Sequence, residues 1–275
     1  MIRSHARSLA KSQAMIHSVD LLYSISGFCV SLLVGMTGVG GGSLMTPLLI
    51  LLFGVHPATA AGTDLPYAAA TKGAGTLVHG LNRSIDWRIV GRLGVGSVPA
   101  TALTLLALSS FGIYSGAARS VITAVLSGAL VATAAVTIFR KQVLSLCAAH
   151  VGELSLRRTT LLAVLVGAVL GLLVSISSVG AGALGATAIV FLYPRLPTVR
   201  LVGTDIAHAV LLTLVAGIGH WMLGSIDWHL LGALLGGSVP GIVIGSYFSG
   251  RGPDAVLRFT LAATLLLVAG SLCKA

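Results

Sequence analysis

Apolar positions along this chain gather into long runs separated by short polar punctuation, and the runs are too long for buried strands. The first, Leu21 to Phe53, is interrupted by Gly35-Met36-Thr37-Gly38-Val39-Gly40-Gly41-Gly42-Ser43. A helix tolerates such a stretch poorly, since each glycine costs about 1 kcal/mol relative to alanine. His56-Pro57 marks a turn, after which the pattern predicts a helical span from about Ala58 to His79, long enough at about 33 Å for a hydrocarbon core. Further spans follow at about Ile89–Ser110 and Ser120–Phe139, with polar connections at Gly80–Arg88 and Arg140–Arg158. A second long run, Thr159 to Tyr193, is broken at Ser175-Ile176-Ser177-Ser178-Val179-Gly180-Ala181-Gly182, and spans at about Thr198–Leu223, His229–Ser249 and Ala255–Cys273 complete the chain.

The second series copies the first. A shift of 141 carries Gly62-Thr63-Asp64 onto Gly203-Thr204-Asp205, and His79 onto His220. The same shift carries Ser84-Ile85-Asp86-Trp87 onto Ser225-Ile226-Asp227-Trp228, and Gly96-Ser97-Val98-Pro99 onto Gly237-Ser238-Val239-Pro240. At 140, Val39-Gly40 and Gly42 match Val179-Gly180 and Gly182. Duplication with an interrupted helix at corresponding places is a transporter pattern, because irregular backbone at membrane depth is tolerated only where protein or a watery cavity satisfies it.

Composition narrows the class. Of 275 residues 56% are hydrophobic and 9% charged, with mean hydropathy +1.00, which describes a multi-pass helical protein of a cell (inner or plasma) membrane. The net charge of +10 falls mostly in short loops beside apolar runs, so it reads as orientation and lipid contact rather than nucleic-acid binding. Cys29, Cys147 and Cys273 show no metal-ligand spacing and read as small buried hydrophobes. No cofactor is implied, and no catalytic constellation of an enzyme is present. The glycine run lacks the strand-to-helix context of a dinucleotide loop.

If each broken segment crosses once, the chain has about eight spans, four per half, with a cytoplasmic N terminus. The expected parts are a basic tail at 1–20, a membrane repeat at 21–139, a cytoplasmic loop at 140–158 and a second repeat at 159–275. That arrangement puts 11 basic residues inside and five outside, but ten spans with the N terminus outside give the same count. Eight is preferred because Ser43 to Gly54 is too short to cross as a helix, and an even number per half implies parallel repeats about an axis along the membrane normal.

Gly38-Val39-Gly40-Gly41-Gly42-Ser43, Gly62-Thr63-Asp64-Leu65, Thr71-Lys72, His79-Gly80 and Asp86-Trp87 together resemble the TauE/SafE family of sulfite exporters. The resemblance implies a two-part membrane transporter of sulfite, sulfonates or related sulfur-containing anions. The second half departs from the first: its glycine run is weaker, and Thr213 stands where the first half has Lys72.

Candidate site residues follow from the chemistry of anions. A half-helix beginning near Ser43 or Ala183 would aim open N–H groups at its break. Gly38, Val39, Gly40, Gly41, Gly42 and Ser43, with Ser178, Gly180 and Gly182 in the copy, are therefore expected to bind a small anionic substrate; the competing reading is close helix packing. Lys72 lies at membrane depth, where it attracts the anion or forms a buried ion pair. Asp64 lies two turns from it, too far for an easy direct pair. Asp64, Asp205, His79 and His220 are read as coupling or structural polar groups. Ser84–Trp87 and its copy read as N-capped helix starts with an interfacial tryptophan, and Pro99 and Pro240 as kinks. The alternatives are a proton- or cation-coupled carrier of another solute and a membrane scaffold that carries nothing.

Overall fold

The protein is described from a computed structural model covering residues 20–33, 44–81, 83–139, 142, 155–247 and 254–272. Every regular element among them is an α-helix. In chain order these are α1 (Asp20–Leu33), α2 (Met45–Phe53), α3 (Pro57–Leu81), α4 (Trp87–Phe111) and α5 (Gly116–Ile138), then α6 (Leu156–Ser177), α7 (Ala183–Leu192), α8 (Thr198–Met222), α9 (Trp228–Tyr247) and α10 (Asp254–Leu272). Among them α4, α5, α6, α8 and Trp228–Gly245 of α9 are long and apolar enough to cross a membrane. Helix α3 has the length, but its Ala, Gly and Thr content with Asp64 and Lys72 makes it less apolar, because it is packed among other helices.

Local chemistry sets the boundaries. Asp86 caps α4 by accepting from the Arg88 and Ile89 amides, and Asp227 Oδ1 accepts from Leu230 N at 3.0 Å at the start of α9. Ser115 caps α5 through Ala118 N at 3.1 Å. Gly54 ends α2 in the left-handed conformation at φ 64°, where a side chain would be strained. Trp87 and Trp228 lie exposed at the starts of α4 and α9, as expected of interfacial tryptophans. Pro99 and Pro240 lie inside helices that continue past them.

The distribution of side chains is that of a protein solvated by lipid. Leu103, Leu106, Val121, Leu165, Val169, Val243 and Leu267 are exposed, whereas Thr63, Asp64, Ser97, Thr101, Ser175, Ser178, Thr204, Asp205, His208 and His220 are buried. Polar groups inside and apolar groups outside suit a hydrocarbon surround, in which an unpaired polar group is costly. Cys29 is exposed on α1, contrary to the expectation of burial; in a lipid-facing position a thiol behaves as a small hydrophobe.

Helices α3 and α8 run antiparallel along each other. A carbon added to Gly62, near the start of α3, would stand 2.6 Å from Ser225 Oγ and 3.1 Å from His220 Nδ1, at the end of α8. One added to Gly203, near the start of α8, would stand 2.6 Å from the Ser84 carbonyl oxygen, just beyond α3. The adjacent threonines complete two matching clasps: Thr204 Oγ1 accepts from Asp86 N at 2.9 Å, and Thr63 Oγ1 accepts from Asp227 N at 3.0 Å. Each Gly-Thr pair thus holds the Ser-Ile-Asp-Trp turn of the opposite half. An axis along the membrane normal does not fit this pairing, because residues 141 apart sit on oppositely directed helices. Outside this pair, α4 runs parallel to α6, with Gly167 against Leu93 and Gly171 against Ser97, and α9 packs on α1 through Gly237 and Gly241.

Candidate functional site

The break between α6 and α7 is built by backbone conformation. Ser178 caps α6 in the left-handed region at φ 58°, and Gly180 and Gly182 follow at φ 115° and 150°. The last two values favour glycine strongly, which accounts for the Gly-x-Gly spacing. Ser177 steadies the turn, donating to the Leu173 carbonyl at 2.7 Å and accepting from Val179 N at 3.3 Å. Gly182, the N-cap of α7, provides no side-chain cap; Gly185 N donates to the Gly180 carbonyl at 3.3 Å, which leaves the Ala183 and Leu184 amides of the first turn beside the break.

Three charged side chains line this stretch in order. At its start the Ser178 hydroxyl lies beside Asp64, near enough to act on its charge but outside hydrogen-bonding geometry; Ser178 Oγ and Asp64 Oδ1 are both buried without a partner among the described residues. The other Asp64 oxygen accepts from Thr46 Oγ1 at 2.6 Å. Farther on, half-buried Lys72 donates from Nζ to the Ala181 carbonyl at 2.5 Å. At the start of α7, Gly185 lies directly against the Asp205 carboxylate. Lys72 makes no ion pair among the described residues, yet its charge acts on Asp64 and Asp205 alike. The sequence-based separation of Asp64 from Lys72 therefore holds for direct contact, whereas the convergence of both acids on one lysine was not anticipated. The clue was the eight-residue interval shared by Asp64–Lys72 and Asp205–Thr213, which becomes informative only when α3 and α8 are antiparallel.

The remaining expected residues divide. Gly38, Val39, Gly40, Gly41, Gly42 and Ser43 lie outside the described residues, as does the His79 side chain. His220 is fully buried, its Nε2 2.8 Å from the Ser175 carbonyl and its Nδ1 2.8 Å from Ser225 Oγ. A carbonyl only accepts, so Nε2 carries a proton and the ring ties the end of α6 to the end of α8. Thr213, at the Lys72 counterpart, donates back to the Ala209 carbonyl at 2.8 Å. Two polar contacts escaped the sequence reading altogether: Ser31 with Tyr67 at 2.7 Å, and Ser97 with His208 Nε2 at 3.1 Å.

An all-helical architecture with a lipid-compatible exterior, and with charged groups converging on a helix break, defines a multi-pass membrane protein with a polar interior. Comparison makes the class specific. The chain belongs to the family described as Sulfite exporter TauE/SafE, a family of membrane transporters, which it matches over residues 23–272. It is 38% identical over 247 residues to "Probable membrane transporter protein YjnA" of Bacillus subtilis (strain 168), covering 90% of this chain and 96% of that protein. It is 27% identical to "Probable membrane transporter protein YdhB" of the same organism, over 86% and 93% of the two chains. A "Probable membrane transporter protein" of Xylella fastidiosa (strain 9a5c) is 26% identical over 82% of this chain and 83% of its own length. No solved structure matches the chain.

Proposed function

We propose that the protein carries a small anion, a sulfite, sulfonate or other sulfur-containing oxyanion, across the cell membrane by alternating access between two duplicated halves. The observation that carries this reading is the Lys72 ammonium on the uncapped break before α7. A lysine and open helix-start N–H groups together suit an oxyanion, which Gly180 and Gly182 let approach the backbone. We propose the same role for Gly38 to Ser43, the counterpart of this stretch by sequence in the other half.

Inverted halves extend the reading to topology. The antiparallel α3–α8 pair and its two clasps support an odd number of crossings per half, hence ten in all rather than eight. With both termini outside, 11 basic residues still face the cytoplasm.

The test is reconstitution of the purified chain in liposomes, with labelled sulfite, thiosulfate and sulfoacetate beside unrelated anions. Saturable exchange of a sulfur-containing anion, abolished in Lys72→Met, is expected. Absence of exchange for every anion would sink the proposal.

A further inference from the structure

The interior charges do not balance. Asp64 is fully buried and Asp205 nearly so, and among the described residues the charged group acting on both is the one Lys72 ammonium. With all three ionised the cluster is net negative, and an arriving anion would deepen that charge where little water screens it. Asp64 adds a second observation: among the described residues Oδ1 is buried without a hydrogen-bond partner, as is the nearby Ser178 Oγ. An oxygen orphaned in this way is less costly to bury on a neutral carboxyl than on a charged one.

We infer that Asp64 and Asp205 are the proton-binding sites of the carrier, and that the anion passes Lys72 together with at least one proton held on these carboxyls. This deepens the anion-carrier reading and rests on it. The proton enters from the side that supplies the anion, resides on a carboxyl oxygen while the anion lies at Lys72, and leaves on the other side; no covalent bond of the anion changes. The surroundings of each acid are specific. Asp64 faces Thr46 of α2, Ser178 of the break, and Lys72 and Tyr67 of its own helix. Asp205 faces Lys72 of α3 and Gly185 of α7. His208, one turn along α8, turns instead to Ser97 of α4 and stands outside the relay. Antiparallel packing puts the two acids on opposite sides of Lys72 along the α3–α8 pair.

The experiment uses the full chain in liposomes clamped at zero membrane potential, with labelled thiosulfate and sulfoacetate as probes. Both stay ionised near neutral pH, so a pH gradient does not redistribute them through the lipid. Exchange without a gradient reports anion binding and movement; uptake under an inward acid gradient of about one pH unit reports coupling. One proton per anion gives wild type an overshoot of up to about tenfold. Asp64→Asn and Asp205→Asn, which imitate the protonated acid, are expected to exchange anion while their overshoot falls to about onefold. Wild-type exchange indifferent to the gradient, or full overshoot in both Asn variants, would overturn the inference and leave the anion-carrier reading standing. Should Asp64→Asn fail to fold, the wild-type gradient response and Asp205→Asn decide it. Exchange of neither probe by wild type would instead count against the anion-carrier reading itself.

Discussion

The two clasps offer a direct measurement of how the halves are held. Thr204→Val keeps the shape of the buried side chain but removes the acceptor of the Asp86 N–H, now 2.9 Å away. Asp86 is the N-cap of α4, so its amide has no place in the helix ladder to fall back on. It is half-buried, which puts the expected loss at about 1–2 kcal/mol, within the range for an orphaned amide. Thr63→Val removes the matching bond to Asp227 N at 3.0 Å, but Asp227 is exposed and water can take over. The expected loss there is about 0.5–1 kcal/mol. The clasps lie at opposite ends of α3, so the double variant should lose the sum. Reversible denaturant unfolding in mixed micelles measures all three, with Thr→Ser at each position as the control that retains the oxygen. Serine costing as much as valine would refute the role of the hydroxyl. Equal losses below about 0.3 kcal/mol would refute the clasps as determinants of stability.

Further outcomes follow from the same geometry. Alkaline phosphatase fused after Ala275 should be active and a fluorescent protein fused there dark, since ten crossings leave the C terminus outside; the reverse pattern would restore the eight-span reading. Gly182→Ala, at φ 150°, should cost about 1–3 kcal/mol and lower the thermal midpoint in detergent, whereas Gly232→Ala, with open space around it, should leave the midpoint within a degree or two. Lys72→Met should abolish anion exchange yet give a monodisperse, stable protein, because it removes a charge and leaves an apolar side chain of similar length; exchange at the wild-type rate would remove Lys72 from the anion path.

Much of the fold was legible because lipid makes the hydrophobic pattern speak plainly. The expected span at Ala58–His79 corresponds to α3 at Pro57–Leu81, and Ile89–Ser110 to α4 at Trp87–Phe111. The break before Ala183 and the capped start at Asp86 were visible from glycine and serine-aspartate chemistry, and the family from the motifs as a set. Relative direction was not visible. Charge counting cannot tell eight crossings from ten when both give 11 against five. The acids were singled out by repetition, but their meeting at Lys72 depends on which end of α8 lies beside which end of α3. The threonine–amide clasps give that information, and no local pattern announces them.

The antiparallel pair also explains why the duplicated halves differ at one place. With Gly62 beside His220 and Pro66 beside Gly217, continuing along the helices sets Lys72 opposite the turn that carries Thr213, near the middle of the pair. Asp64 and Asp205, each eight residues before that middle on its own helix, fall on opposite sides of it, so both can be kept as acids. Residues at the middle fall close to their own copies. Two lysines there would face each other in a buried setting, each making the other's charge harder to hold. One lysine and one threonine avoid this, and Thr213 closes its hydroxyl onto its own helix instead. A single central cation shared by two outlying acids is therefore the arrangement that inverted duplication permits. Thr213→Lys tests the point: it should destabilise the protein strongly alone, and much less when combined with Lys72→Thr, which moves the cation across the pair. Equal destabilisation with and without Lys72→Thr would mean that the two positions do not feel one another.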